Sequence, residues 1–168
     1  LTVADIRGTA SNIWNAWKGK LMENLLVQTK RVLGGEALSV DHELAKRQQA
    51  AKAQLRFYGL PESASDAFWK QLDIVYFLRN DPSDIAWHTR TLYQQMASTE
   101  PVVKCRLSPT SEGLQVVVYI PDRPDLFAWI CSYFDRKNYA ILDAKIHTTE
   151  QQYALDTFVV TRQGFEKN

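Results

Sequence analysis

The chain has 168 residues, 45% of them hydrophobic and 23% charged, with a formal net charge of +1. That length allows one sizeable domain or two small ones, and the near-neutral balance points to neither nucleic acid nor an anionic membrane as a partner. No apolar run reaches the roughly 18 residues a spanning helix needs and no signal peptide opens the chain. Cys105 and Cys131 form neither a CxxC pair nor a metal-ligand set, so a reduced, cytoplasmic protein with two small buried thiols is expected.

Charge is unevenly placed: residues 1–60 hold nine Lys/Arg against five Asp/Glu, residues 61–100 hold three against six, and residues 101–168 hold eight of each. The basic bias of the first stretch reads as solvated helix faces. The opening Leu1-Thr2-Val3-Ala4-Asp5 already has the character of an element interior, so the chain is read as a piece of something longer.

Residues 1–97 read as helices. Trp14, Trp17, Leu21 and Leu25 recur at helical spacing, with Ser11 or Asn12 as cap and Gly34-Gly35 as terminator. A second helix is expected from a Ser39 cap, through an acidic first turn at Asp41 and Glu43, to Tyr58, where Gly59-Leu60-Pro61 stops it. A third covers Glu62 to Leu72 and can run on toward Phe77. Ile74-Val75-Tyr76-Phe77-Leu78 fits helix or strand by pattern, and its helical neighbours favour helix. The fourth has the clearest start: Asp81 as cap, Pro82 at the first position, and Asp84 at the positive end of the helix dipole.

The periodicity then changes. VVKCRL (102–107) and LQVVVYI (114–120) are β-rich and flank the turn residues Pro109, Ser111 and Gly113, which predicts an antiparallel hairpin. Asp122-Arg123-Pro124 opens a helix over about 124–137, with Leu126, Phe127, Ile130 and Phe134 as its core stripe. Two strands follow, ILDAKIHTT and YALDTFVVT, joined near Glu150-Gln151. The fold class is therefore α+β: a helical region (1–100), then a partial ferredoxin-like βαββ unit (101–168) with an extra N-terminal edge strand. Strand 102–107 is expected to pair antiparallel with 114–120, in the place a final strand of the full unit would occupy.

No catalytic cluster is evident. His42, His88 and His147 belong to no HxxxH, HExxH or HD pair. Asp84 and His88, four apart on a helix, can share one face, and a structural salt link or a partly buried histidine is favoured over a catalytic dyad. His42 is expected to be exposed. His147 is placed in a strand, as a surface residue or a contact to the preceding loop. Gly34-Gly35 lacks a phosphate-cradle context. Trp14, Trp17, Trp69, Trp87 and Trp129 are read as core or interface anchors.

Asp5 sits near the end of a helix and is either a metal ligand or a capping or solvated carboxylate. PDRPDLF is the tract with a functional shape, because it puts a loop and a helix N-terminus directly after a strand. The amides and dipole there suit an anion, whereas Asp122 and Asp125 suit an ammonium, so a zwitterion such as an amino acid satisfies both. The plain alternative makes Asp122 the helix cap and Asp125 first-turn decoration.

VYIPDRPDLFAWICSYFDRKNYAILDAKIHTTEQQYALDTFVV resembles the first of two ACT domains in the bacterial bifunctional PII uridylyltransferase/uridylyl-removing enzymes. LTVADIRGTASNIWNAWKGKLM resembles the end of their HD domain, and NDPSDIAWHTRTL their inter-domain helical segment. The resemblance implies that the whole enzyme moves UMP from UTP to a PII signal protein and removes it again, with Mg or another divalent metal, under control of glutamine sensed by the ACT pair. It implies a regulatory, non-catalytic role for this stretch, with no cofactor of its own. Its partners would be the other domains of the parent enzyme, PII and glutamine. Asp122, Arg123, Pro124, Asp125 and Leu126 would form the ligand-binding loop, and Asp5 would match the last HD-type metal aspartate. Asp125 stands where ACT loops often carry Gly, a departure that speaks for a pure interdomain docking module as the alternative.

Overall fold

The computed structural model describes residues 26, 29, 40–109 and 113–163. Asp5, Trp14, Trp17, Ser39 and, apart from residues 26 and 29, the expected first helix lie outside them.

Helix α1 spans Val40–Phe57, with Asp41 and Glu43 in its first turn and Arg56 in its last. Ala51 and Leu55 are its buried residues, as the polar centre of its sequence anticipates. It ends where Leu60 N donates to Leu55 O and Gly59 takes φ +72°, a left-handed termination glycine adopts without steric cost. Helix α2 (Glu62–Trp69) stops short of the expected Leu72. The reason is Asp73, whose side chain accepts a hydrogen bond from Tyr76 N at 2.9 Å and starts a separate helix, α3 (Ile74–Arg79). The ambiguous apolar run is thus helical, as favoured. Helix α4 covers Pro82–Leu92 with Pro82 in its first turn, although the Asp81 side chain makes no capping bond.

Strands β1 (Val102–Leu107) and β2 (Leu114–Pro121) form the expected antiparallel hairpin, with Val102 opposite Tyr119 and Leu107 opposite Leu114. Helix α5 (Leu126–Arg136) follows, then β3 (Tyr139–Lys145) and β4 (Tyr153–Arg162). The four strands lie in the order β1-β2-β4-β3, all neighbours antiparallel. That is the order of a ferredoxin-like sheet with β1 at the edge, in the position expected for it. β3 ends at Lys145, so His147 lies beyond the strand, in the connection to β4.

Alternation along the strands separates two apolar faces. Val102, Val117, Tyr119 and Leu155 pack with Phe68, Trp69, Tyr76, Phe77, Ile85, Trp87 and Leu92 from the helices before the sheet. Val116, Val118, Phe158 and Val160 pack with Phe134, and half-buried Ile130 joins them from α5. The pattern changes near residue 100, yet α1–α4 and one sheet face share a continuous core. Trp69 and Trp87 are core residues as expected, while Trp129 projects from α5 at 70% exposure. Phe127, expected in the α5 core stripe, is instead exposed, with its ring stacked 6.0 Å from that of Phe158 between centroids. Cys105 corrects the expectation of two buried thiols: it is exposed on β1, and Cys131 is half-buried.

Candidate ligand loop and the polar clamp beside it

The loop between β2 and α5 presents Asp122, Arg123, Pro124 and Asp125 to solvent, whereas Leu126 is buried at 6% exposure and anchors α5 in the core. Asp122 is not the helix cap. Its Oδ1 accepts from Arg123 N at 2.9 Å and its Oδ2 accepts from Thr148 Oγ1 at 2.9 Å, while its own N–H donates to Gln152 O at 2.8 Å. The cap position belongs to Asp125, whose carbonyl accepts from Trp129 N and whose side chain makes no capping bond. Asp125 has φ +62° and ψ 7°. Asp125 thus holds the left-handed conformation that glycine favours, and Asp tolerates it better than most side chains.

The β3–β4 connection that holds Asp122 also holds the helices. Glu150 N donates to Gln71 O at 3.0 Å, Arg79 Nη1 reaches Ile146 O at 3.4 Å, and the His147 ring lies 5.2 Å from that of Tyr76. His147 therefore contacts the helices instead of standing on the surface. Its ring is held below its ordinary value, first by burial, against the pull of Asp73. The loop and the helical layer thus grip one short segment from opposite sides.

Asp84 and His88 do share one face of α4, and that face looks onto the sheet. Asp84, 3% exposed, accepts from Arg106 Nη2 on β1 at 2.6 Å, Gln115 Nε2 on β2 at 2.9 Å and Lys145 Nζ on β3 at 3.0 Å. Burial pushes its carboxyl up, but the Lys145 charge and the hydrogen bonds from Gln115 and Lys145 outweigh that and leave it below its ordinary value. The Arg106 guanidinium also covers the Trp87 ring, 4.3 Å from its centroid. His88, 1% exposed, has Nδ1 2.7 Å from Tyr76 Oη and Nε2 3.1 Å from Thr157 Oγ1 on β4. Burial drives its midpoint down to about 3, so it is a neutral ring at pH 7. The arrangement clamps layers together and presents no nucleophile to solvent, in line with the structural reading of the pair. His42 is exposed as expected.

Sequence reasoning did not single out Thr148, Gln152, Asp156 or the strand ends of the clamp. The signal was there for the clamp: on their own strands Arg106 shares the alternation parity of Val102, Gln115 that of Val117 and Tyr119, and Thr157 that of Leu155, which marks them as core-facing. Among the described residues no three His, Cys, Asp or Glu side chains stand together as a metal site. They offer nothing for the divalent metal the resemblance implies, and Asp5 lies outside them. No helix among the described residues is long and apolar enough to cross a membrane.

Comparison with known proteins agrees with the resemblance. The family profile described as "Uridylyltransferase GlnD fifth domain" matches residues 39–91. The bifunctional uridylyltransferase/uridylyl-removing enzyme of Ralstonia nicotianae is 55% identical over 98% of this chain, and that of Cupriavidus pinatubonensis is 54% identical over 98%. The Burkholderia mallei enzyme is 52% identical over 96%. The chain spans 19% of the length of each of these relatives. No solved structure matches.

Proposed function

Because this chain corresponds in sequence to a stretch of the bifunctional uridylyltransferase/uridylyl-removing enzymes, we propose that it is a regulatory, non-catalytic part of such an enzyme. In this reading residues 1–100 are the end of an HD domain with linking helices, and residues 101–168 are most of the first ACT domain. The whole protein, in the cytoplasm, adds UMP from UTP to a PII signal protein and hydrolyses it off again, using a divalent metal held elsewhere, Asp5 being one ligand. Glutamine binding at the loop Asp122–Leu126 biases the choice between the two activities.

The observation that carries the reading is the shared segment 146–152. Thr148 and Gln152 fasten it to Asp122 of the loop, and Ile146 and Glu150 fasten it to α3 and to Gln71 just after α2. A ligand that moves Asp122 has a bonded route to the helices. Coupling of this kind requires that the ligand prefer one of two arrangements. The test is calorimetry of L-glutamine with this chain, beside an assay for UMP release from uridylylated PII. Saturable binding without release is expected; release of UMP by this chain alone overturns the non-catalytic assignment.

A second reading, a docking module without a small-molecule ligand, is favoured by exposed Trp129 and Tyr133 on α5. It predicts no heat with glutamine.

A further inference from the structure

Strand β1 stands at one end of the sheet, so only one of its flanks is paired. Ser108 N donates to Gly113 O at 3.0 Å in continuation of the β1–β2 register, and that bond sets the parity of the ladder. Val102, Lys104 and Arg106 therefore turn their backbone groups to β2, while Val103, Cys105 and Leu107 turn theirs outward. Among the described residues no other backbone group bonds to that outer row.

The side chains of β1 differ on the two sides of the sheet. Val103, Cys105 and Leu107 stand opposite Val118, Val116 and Leu114, on the α5 side. The helix does not cover them: Val103 is 54% exposed, Leu107 is 79% exposed and Cys105 is exposed too. Lys104 and Arg106 lie on the other side, toward the helical layer. Lys104 is exposed. Arg90, exposed in the last turn of α4, lies over the Tyr58 ring and stands one turn beyond Trp87, the ring that Arg106 covers. Neither Lys104 nor Arg90 has an ion pair among the described residues, and the carboxylate that meets Arg106 is shared with Lys145.

An open strand edge accepts a further strand through its backbone, and the side chains select which one. A second copy of β1 does not fit. Every antiparallel register that joins two or more outward residues of each copy puts Lys104 or Arg106 opposite a like charge. A strand of the other sign fits on both sides.

We propose that β1 receives an extended segment of a partner protein as an added strand, one reading apolar-acidic-apolar-acidic-apolar. Its apolar side chains meet Val103, Cys105 and Leu107, and its carboxylates meet Lys104, Arg106 and Arg90. This surface is independent of the loop Asp122–Leu126 and of any ligand there.

The experiment is a nitrogen NMR titration of the chain with the peptide TVEVEVT, beside TVKVKVT and the rearranged TEEVVVT. TVEVEVT is expected to bind saturably, to shift the Val103, Cys105 and Leu107 amides and to slow their exchange with solvent. The other two peptides are expected to bind at least ~10-fold more weakly, as is TVEVEVT to Lys104→Glu. Cys105→Pro removes an outward N–H that β2 does not use, and it is expected to abolish binding with the sheet retained by circular dichroism. Absence of saturation by TVEVEVT, equal binding of either control peptide, or shifts centred away from β1 overturns the proposal. Should a variant unfold, exchange protection of the three wild-type amides decides alone.

Discussion

Asp84 and His88 stand one turn apart on α4, and each reaches across to the sheet. Asp84 holds β1, β2 and β3 through Arg106, Gln115 and Lys145, and His88 holds β4 through Thr157. One helix face thereby touches all four strands by hydrogen bonds. Removing the carboxylate leaves Arg106 and Lys145 partly buried with their charge uncompensated. Asp84→Ala is expected to destabilise the chain by ~3 kcal/mol, the lower end for a broken buried pair because both cations keep some access to water. Urea unfolding followed by circular dichroism measures it; a loss under ~1 kcal/mol would mean that the clamp contributes little.

Two buried groups impose opposite pH dependences. His88 protonates near 6.5 when unfolded but only near about 3 when folded. Between those values unfolding takes up a proton, so stability falls by up to ~1.4 kcal/mol per unit of acidification. His147, also lowered, acts in the same direction. Asp156, raised from 3.8 to about 6, contributes stability that is fully present below 3.8 and lost as pH rises through about 6. Asp84, lowered, contributes stability present above 3.8 and lost as pH falls through its folded value. From pH 6 to 4 His88 and Asp156 offset one another. Asp156→Asn is therefore expected to steepen the acid loss over that range by up to ~1.4 kcal/mol per unit, and His88→Gln to remove a similar slope. Superimposable urea midpoints for wild type and Asp156→Asn from pH 4 to 6 would contradict this account.

The Tyr76 hydroxyl gives His88 Nδ1 its buried partner. Tyr76→Phe strands that nitrogen in a site water does not reach, and a cost of ~1–3 kcal/mol is expected. Thermal unfolding of the variant checks it.

Gly59 and Gly113 both have positive φ, +72° and +123°, but different surroundings. A Cβ at Gly59 meets nothing within 4 Å, so Gly59→Ala is expected to cost ~1 kcal/mol from backbone strain alone. At Gly113 a Cβ would sit against Val160 O on the neighbouring strand β4. Gly113→Ala must therefore open the β2–β4 pairing as well, at a cost above ~2 kcal/mol. The ordering of the two denaturation midpoints is the test.

Asp125 gives a complementary case. Replacing it with glycine relieves left-handed strain but frees the unfolded chain, so Asp125→Gly should lie within ~0.5 kcal/mol of wild type. Asp125→Val, β-branched, should lose ~1–2 kcal/mol. Equal stability of the two variants would remove the argument that conformation selects the residue here.

Much of the sheet was legible because alternation and β-branching act locally: the β1–β2 hairpin, its orientation and the strand boundaries near Tyr153 follow from residue type. The split between α2 and α3 was less visible, since it turns on Asp73 competing with the helix for one backbone amide. The cap assignment in the loop was missed for a related reason. Asp122 satisfies its Oδ2 through Thr148, 26 positions away, and no local pattern encodes that partner. Asp84 looked like dipole decoration because its three donors arrive from strands distant in sequence. The strand parity of Gln115 and Thr157 was the clue available beforehand, and it shows only once the strands are phased against their apolar residues.

The place of β1 in the sheet also bears on how the chain folds. Leu107 and Leu114 are paired although close in sequence, so the edge of the sheet is closed by a contact between near neighbours. A strand arriving from the far end of a ferredoxin-like unit would close that edge only after a much longer loop had been ordered. Here the edge can pair as soon as Tyr119 and Ile120 have been synthesised, and β2 meets α5 and β4 with one flank already satisfied.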